Sequence, residues 1–546
     1  MERAEIYFLD AARAMVESGD WLVPRYQGQA FFDKPPLAYW AMALSFLWLG
    51  ATTGAARLVA VLAALGAVAA TLWLGRLLFD RRSALAGGLV LATTLAFLSL
   101  ARLAMSDMLL ALFTTISVAL AVRAFRPDPP GWTAPALGLA LGLGFLAKGP
   151  IALLVPGLAL VVLLAQRRRR PTIHLPGATL GVLPFVLVAL VWFALVHRRM
   201  GVGPLAYFFL RENLERFVGE AYDVGRPIWF YLPAYVVGGL PWSVFLPLAL
   251  VRLLRDGDRS VRDATRFLAS WVALVLIPLS LSRGKIDYYL LPLYPAVSLL
   301  IGRYLAGTPW RRLDRAWVRV SLVAGAAGLA VLAARLPPAP EEWLPSPSVR
   351  AFLLVTVALI ALAFLAVAVK PAPVRLVATL AAGVAAVSLE LAAFFLPAFV
   401  AAQPNRRIVE DVGRERVYRP DLALALCSDP PRARRDVLFH VRLAAVERCD
   451  LWPLAASERP YLFLLRPAED ASFRGIPAYR HIATYRTLPA SALTFPGLLR
   501  LPPPQDMVLG ANFATTDPVA LRKKNKEYRQ EIHRGWRDAA RAARRR

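Results

Sequence analysis

Twelve apolar stretches, near residues 56–78, 84–101, 106–124, 133–147, 150–165, 176–197, 228–251, 265–282, 287–304, 317–335, 351–369 and 375–398, alternate with polar loops along the chain. About twenty apolar residues cross a hydrocarbon core of roughly 30 Å, so each stretch is read as a membrane crossing. Lipid offers backbone groups no water, which leaves helices or a closed barrel as the only spanning structures. Stretches of this kind predict an all-α polytopic membrane protein. The composition agrees: 58% of the 546 residues are apolar and 18% are charged, which excludes a soluble multidomain chain.

The loops fall into two families. Those at 81–82, 123–126, 166–170, 252–262, 311–315 and 370–375 are short and rich in arginine and lysine, and the positive-inside rule makes them cytoplasmic. Strict alternation then puts the others outside: 32–36 (FDKPP), 102–107, 148–150 (KGP), 197–226 and 282–289 (SRGKIDYY). A net charge of +27 would suggest nucleic acid in a soluble protein. Here most of it lies in the cytoplasmic loops and the extreme tail, so it reports topology, and no nucleic-acid partner is expected.

Residues 1–55 are expected to form a first external loop with no spanning segment ahead of it, which implies that an upstream helix is missing. Within it the apolar segment 35–54 reads as an interfacial helix, with Tyr39 and Trp40 at headgroup depth. The spans occupy 56–400. From 401 to 510 the composition changes to mixed charge, many prolines and short apolar runs such as 461–465 (YLFLL), which reads as a small α/β or β-rich domain, outside by an even number of spans. Both cysteines, Cys427 and Cys449, fall there. A disulfide would suit an oxidising periplasm, and two unpaired small hydrophobes are the alternative. The basic tail, 511–546, reads as a solvated segment drawn to anionic lipid.

The outer loops carry the chemistry of a phosphate and a base. Lys34, Lys148 and Lys285 each stand at a membrane boundary beside glycine or proline, where a cation on a fixed bend serves as a point charge for phosphate. Singly, each would be a snorkelling interface lysine. Arg211 and Arg216 add donors able to grip phosphate bidentately, unless they belong to a solvated amphipathic helix. Asp107, five residues after Arg102, opens an apolar helix; it either complements the helix dipole or orients a polar substrate at the membrane surface. Glu5 and Asp10 are further external carboxylates, and a base that deprotonates an acceptor needs one of these groups in reach. Glu390, inside the last stretch, is expected to pair with a polar neighbour. There is no nucleotide-binding glycine loop, zinc spacing or serine nucleophile elbow. No cofactor is required and no metal-site residue is assigned, although a divalent metal stays open. A sugar transferred outside would need a lipid-linked donor.

Residues 5–20, 21–26 (WLVPRY) and 31–40 (FFDKPPLAYW) resemble the first external loop of bacterial relatives of the protein O-mannosyltransferases, and more closely that of the lipid A aminoarabinose transferases, membrane glycosyltransferases of the GT-C fold. The runs 101–108 (ARLAMSDM), 145–150 (FLAKGP), 207–209 with 215–217, 226–233 (RPIWFYLP) and 281–285 (LSRGK) match in the same order, so the resemblance covers about residues 5 to 300. It implies a GT-C fold with thirteen spans, the first lost here, and a small C-terminal periplasmic domain. It also implies transfer of a sugar, with inversion, from a polyprenyl (undecaprenyl) phosphate donor to an external acceptor, foremost lipid A or lipopolysaccharide. The donor phosphate would be held by Lys34, Lys148, Arg216 and Lys285, and substrate by Asp33, Arg102, Tyr288 and Tyr289. Glu5, Asp107 and Asp10 would orient the reactants or act as base. The enzyme would be a monomer in the bacterial inner membrane, with its active face in the periplasm.

One departure stands out. Relatives often begin the first loop with Asp-Glu, and the Asp position is Ala4 here, with Glu5 retained. Either Glu2, Glu5 or Asp10 substitutes, or Asp107 serves, or the acceptor needs no strong base, as an ionised phosphate would not. Relatives also carry His where Asn213 stands. The alternatives are a protein O-mannosyltransferase-like enzyme, a non-catalytic family member, and a transporter of lipid-linked sugars. Carriers place polar groups near the midplane, commonly with repeat symmetry, whereas this chain keeps them at one face and contains no internal repeat.

Overall fold

The computed structural model describes residues 3–126, 128–166, 175–218, 225–335 and 347–390. It also describes segments 422–426, 444–447, 451–455, 460–465, 467–487 and 505–512, with a few positions between 392 and 415. The cysteines, Glu2 and the tail after 512 lie outside the described residues.

The first loop begins with helix α1 (Arg3–Ser18), whose apolar residues Ile6, Leu9, Ala12 and Val16 recur at helical spacing and are buried. A two-residue hairpin follows, β1 (Arg25–Tyr26) and β2 (Gln29–Ala30), turned by Gln27 and Gly28 at φ of 49° and 79°. Helix α2 (Leu37–Leu49) packs against α1. Tyr39, expected at headgroup depth, is fully buried within the protein, tilted against the Phe8 ring. A helix face that meets α1 encloses its tyrosine wherever the membrane boundary falls. Trp40 donates its indole N–H to the Trp21 carbonyl at 2.7 Å.

Helices α3 (Thr53–Leu78), α4 (Arg81–Ala92), α5 (Leu95–Leu100), α6 (Asp107–Ala124), α7 (Thr133–Lys148), α8 (Ile151–Gln166) and α9 (Leu175–Met200) follow. Then come α10 (Gly203–Ala206), a π-helix (Tyr207–Glu215), α11 (Arg216–Val218), α12 (Tyr231–Gly238), α13 (Leu246–Leu254) and α14 (Arg259–Leu281). A 3-10 segment (Asp287–Leu293) leads into α15 (Tyr294–Gly307), and α16 (Arg312–Arg335), α17 (Pro347–Val369) and α18 (Pro373–Glu390) complete the helical part. Capping residues set several starts: Thr52, Asp80 and Asp258 accept N–H bonds from Ala55, Ser83 and Ser260.

Among the described residues seven helices are long and apolar enough to cross a membrane. An eighth crossing needs a bent pair: the expected straight span 228–251 is two pieces, Ile228–Gly238 and Ser243–Leu254, at 112° to one another. Pro241 lies in the break, where a residue without an N–H cannot extend an α-helical ladder. The expected span 84–101 is likewise divided, into α4 and α5 at Thr93 and Thr94, and the stretches 133–147 and 150–165 form helices of 16 residues. Small residues allow close approach where α15 meets α4: a methyl group on Gly302 would collide with the Gly87 backbone. Leucines and valines along α9 and α17 stay exposed, as lipid-facing positions do.

Basic residues at the described helix ends opposite the first turn of α6 bind neighbouring segments. Arg126 donates to the Leu77 carbonyl, Arg303 to Asp80 at 2.7 Å, and Arg252 to Asp314 at 2.7 Å. Beyond the helices lies a five-stranded mixed sheet of order β4-β3-β5-β7-β6, from β3 (Ala423–Leu426), β4 (Ala444–Glu447), β5 (Tyr461–Leu465), β6 (Arg480–Thr487) and β7 (Gln505–Ala511). The apolar run expected at 461–465 is the central strand, and all five of its side chains are buried, alternating between two apolar clusters.

A cation-lined cavity as candidate active site

At the end of the bundle away from the arginine loops, five segments far apart in sequence converge on a cavity of about 520 Å³. Each is placed by a local constraint. Lys34 precedes Pro35 and Pro36, and Pro36 stands at the N-cap of α2, where a missing N–H costs nothing. Lys148 is the last residue of α7. Gly149 ends that helix at φ 79°, donating to the Phe145 carbonyl at 2.7 Å, and a Cβ there would strike the Phe208 ring. Asp107 is the first residue of α6. Glu212 and Arg216 come from the π-helix and α11, and the wider π turn lets Asn213 donate its side-chain amide to the Phe208 carbonyl at 2.7 Å. Tyr289 sits in the 3-10 turn before α15.

The polar rim is a set of acid–base contacts. Lys34 Nζ lies 3.2 Å from Glu212 Oε2 and donates to the Asp33 carbonyl at 2.6 Å. Arg216 Nη2 reaches the same Glu212 oxygen at 3.0 Å. Lys148 pairs with Asp107, and its Nζ stands 4.9 Å and 5.6 Å from the ring centres of Tyr289 and Tyr288. Tyr207 donates its hydroxyl to Asp33 at 2.9 Å. Three cations and two carboxylates line the cavity, and its remaining wall is largely aliphatic, from Leu110 of α6, Ile151, Leu154 and Val155 of α8, and Val275 and Leu279 of α14. Such a pocket suits a molecule with a charged head and an apolar tail.

Burial governs titration at the rim. It pushes the Lys34 amine below the ordinary lysine value, helped by Arg216 and Lys148 and opposed by Glu212 and Asp33. It also pushes the Asp33 carboxyl up, reinforced by the Glu212 charge and countered by Lys34, the Tyr207 hydrogen bond and Arg216. Among the described residues no three His, Cys, Asp or Glu side chains gather in a way that could hold a metal ion.

Of the residues expected from sequence, the cavity brings together Lys34, Lys148, Arg216, Asp107 and Tyr289, with Asp33 and Tyr288 one contact behind. Lys285 differs. Its buried amine donates to the Ser282 carbonyl at the end of α14, while its own carbonyl accepts from Arg226 at 2.9 Å. Ser282 and Gly284 of that loop line the cavity, and Lys285 itself is not among the lining residues. Glu5 is fully buried away from the rim, gripped by Arg57 at 2.9 Å and 2.8 Å and by the Ala104 N–H at 2.9 Å. Asp10 pairs with Arg13 and accepts from the Gln27 N–H at 2.9 Å. Arg102 is exposed. Glu390 departs from its expected pairing: it is buried, and neither carboxylate oxygen has a hydrogen-bond partner among the described residues.

Two participants escaped sequence reasoning, Glu212 and Tyr207. The one available signal for Glu212 was its spacing four residues before Arg216.

Residues 33–194 match the family model described as dolichyl-phosphate-mannose-protein mannosyltransferase. The chain is 38% identical over 309 residues to the undecaprenyl phosphate-alpha-4-amino-4-deoxy-L-arabinose arabinosyl transferase of Pseudomonas aeruginosa (strain LESB58), covering 55% of each chain. It is 32% identical over 304 residues to the protein of the same name from Yersinia enterocolitica, covering 55% of this chain and 54% of the other. The chain thus spans about half the length of the curated relatives it matches. Its fold is similar to that of ArnT from Cupriavidus metallidurans bound to undecaprenyl phosphate, with a TM-score of 0.71 and 21% identity over 94% of both chains. These findings bear out the resemblance drawn from the sequence, to GT-C glycosyltransferases near the lipid A aminoarabinose transferases, and the fold is a GT-C fold with a small C-terminal sheet region. The chain is a multi-pass membrane protein.

Proposed function

We propose that this chain is a glycosyltransferase that moves a sugar, 4-amino-4-deoxy-L-arabinose, from undecaprenyl phosphate to lipid A. The observation that carries the reading is the convergence of Lys34, Lys148 and Arg216 on one cavity whose far wall is aliphatic. The phosphate lies among the cations, and the polyprenyl chain lies along α6, α8 and α14. The name of the relatives supplies the donor and the sugar. Lipid A as acceptor, rather than protein, comes from the resemblance.

In the reaction the bond between the anomeric carbon and the phosphate oxygen breaks, the electron pair stays on the phosphate, and an acceptor oxygen bonds to that carbon from the opposite face. Charge grows on the leaving phosphate. Preorganised cations in a site shielded from water stabilise that change most, a contribution of about 10²–10³-fold for one donor. Lys34 and Arg216 share Glu212 as partner, and Lys148 pairs with Asp107. Asp107, held by Lys148, is the expected carboxylate that lines the cavity, and it orients the sugar or takes the acceptor's proton. A phosphate acceptor has no proton to lose, and then orientation is its whole role. The arginine loops at the other end support a cytoplasmic placement for that end, hence an inner-membrane enzyme whose cavity and sheet domain face the periplasm.

The test is transfer from labelled undecaprenyl-phosphate aminoarabinose in membranes containing the chain, with lipid A and total envelope protein offered together. Label in lipid A that disappears with Lys34→Ala supports the reading. Label in protein alone redirects it to a protein glycosyltransferase, and no transfer from folded protein overturns it.

A further inference from the structure

The two carboxylates on the cavity wall stand in different positions. Asp107 pairs with Lys148, whose amine also stands over the rings of Tyr288 and Tyr289. Glu212 is 5% exposed and stands between two cations from distant parts of the chain, Lys34 at 3.2 Å and Arg216 at 3.0 Å, both meeting the same oxygen. We propose that Glu212 is a resident counter-ion for the phosphate: it holds Lys34 and Arg216 while the cavity is empty, yields them when phosphate enters, and reclaims them to expel the spent lipid phosphate. The inference rests on the reading of the cavity as a phosphate site and adds to it a residue that governs release.

The physical need arises from charge. Two cations gathered at a half-buried rim without an anion would be strongly destabilising, so the empty site requires a neutralising group. The donor is a phosphodiester with one negative charge, whereas the product is a monoester whose second ionisation falls near pH 6. Cations arranged to favour the growing charge therefore hold the product more tightly than the substrate. A fixed carboxylate within ion-pair distance of the same two cations opposes that retention, because phosphate and carboxylate compete for one set of donors. The π-helix carries Glu212 and Arg216 follows one turn later, so competitor and donor share one continuous helical segment.

The experiment is a titration of the purified full chain with undecaprenyl phosphate, which needs no transfer chemistry. Glu212→Gln keeps the shape and removes the charge. It is expected to bind the lipid phosphate about tenfold more tightly, the scale of relieving a like-charge contact, while steady-state transfer slows and product inhibition grows. Equal or weaker binding overturns the proposal, since a merely structural glutamate would give a loss on substitution. Lys34→Ala in the same titration separates the two ideas: retained binding sinks the phosphate reading itself, whatever Glu212→Gln does. A structure of the unaltered protein with undecaprenyl phosphate bound provides a check independent of any variant. Lys34 Nζ should lie beyond about 4 Å from Glu212, the ion-pair limit, with a phosphate oxygen in its place. An intact Lys34–Glu212 pair beside bound phosphate overturns the proposal.

Discussion

Glu5 in the first loop and Glu212 at the cavity are both buried carboxylates paired with cations from distant segments, yet the proposed reading gives them opposite purposes. Glu5 receives two parallel hydrogen bonds from Arg57 and a third from the Ala104 N–H, joining α1, α3 and the turn that leads to Asp107. It is not among the groups that line the cavity. Glu212 Oε2 meets both Lys34 and Arg216, Arg216 reaches Oε1 as well at 3.4 Å, and all three side chains line a space large enough for a ligand. The chemistry of the pair is the same in both places. What differs is whether the cations face a cavity that a ligand can enter, which under the proposed reading separates an anchor from a phosphate site.

The largest expected effect breaks the cavity side of this contrast. Lys34→Ala should lower transfer by about 10²–10³-fold with the fold retained, as loss of one preorganised donor does, measured with labelled donor. A fall of less than about threefold would place the phosphate elsewhere.

The anchor side should break differently. Arg57→Ala leaves Glu5 buried without its fork and should cost about 3 kcal/mol of stability, the low end for a broken buried pair, because the Arg57 side chain is 38% exposed. Denaturation in detergent measures the loss, and the surviving folded protein should keep most of its turnover. Were Glu5→Gln to abolish transfer with an unchanged melting curve, Glu5 would belong to the reaction and the contrast would collapse.

A third outcome concerns pH. Burial holds the Lys34 pKa in the empty protein below the ordinary 10.5. Its charge is fully present below that depressed value and is lost as pH rises through it, so affinity for undecaprenyl phosphate should fall by up to about tenfold per pH unit above it. Lys34→Arg keeps its charge there and should flatten the decline in a binding titration, whatever it does to absolute affinity.

The smallest effect lies in the sheet domain. Asp470, in the middle of α19 (Pro467–Phe473), accepts from Tyr479 at 2.6 Å and from Arg474 at 2.7 Å, and His481 Nδ1 lies at 3.1 Å. Burial would raise its pKa, but these hydrogen bonds together hold it below the ordinary value. The resulting stability is present above the unfolded pKa of about 3.9 and is lost as pH falls through the lower folded value. Asp470→Asn should therefore cost about 1 kcal/mol at neutral pH and weaken that acid dependence, read by thermal melting at a series of pH values. Transfer should barely change, as for an anchor outside the cavity.

Helical segments, the central strand at 461–465 and the grouping of the cavity loops apart from the arginine loops were legible in the sequence, because apolar periodicity and charge are local properties. So were the Lys-Pro-Pro and Lys-Gly-Pro bends, since proline fixes φ and a glycine, such as Gly149, takes a φ of 79° without strain. The division of 84–101 and the bend in 228–251 were not, because a continuous apolar run satisfies lipid whether straight or broken. The burial of Tyr39 was not legible for a related reason: amphipathic character does not reveal which neighbour covers a face.

By itself the sequence determined a helical membrane bundle with lysines on fixed turns, since each of those features depends on residues within a few positions of one another. Only the tertiary structure decided which acid meets which base. Glu5 and Arg57 are 52 residues apart, Asp107 and Lys148 41, and Lys34 and Glu212 178. A charge at such a separation finds its partner through the packing of whole helices, and that packing turned one glutamate into an anchor and set another at the mouth of a cavity.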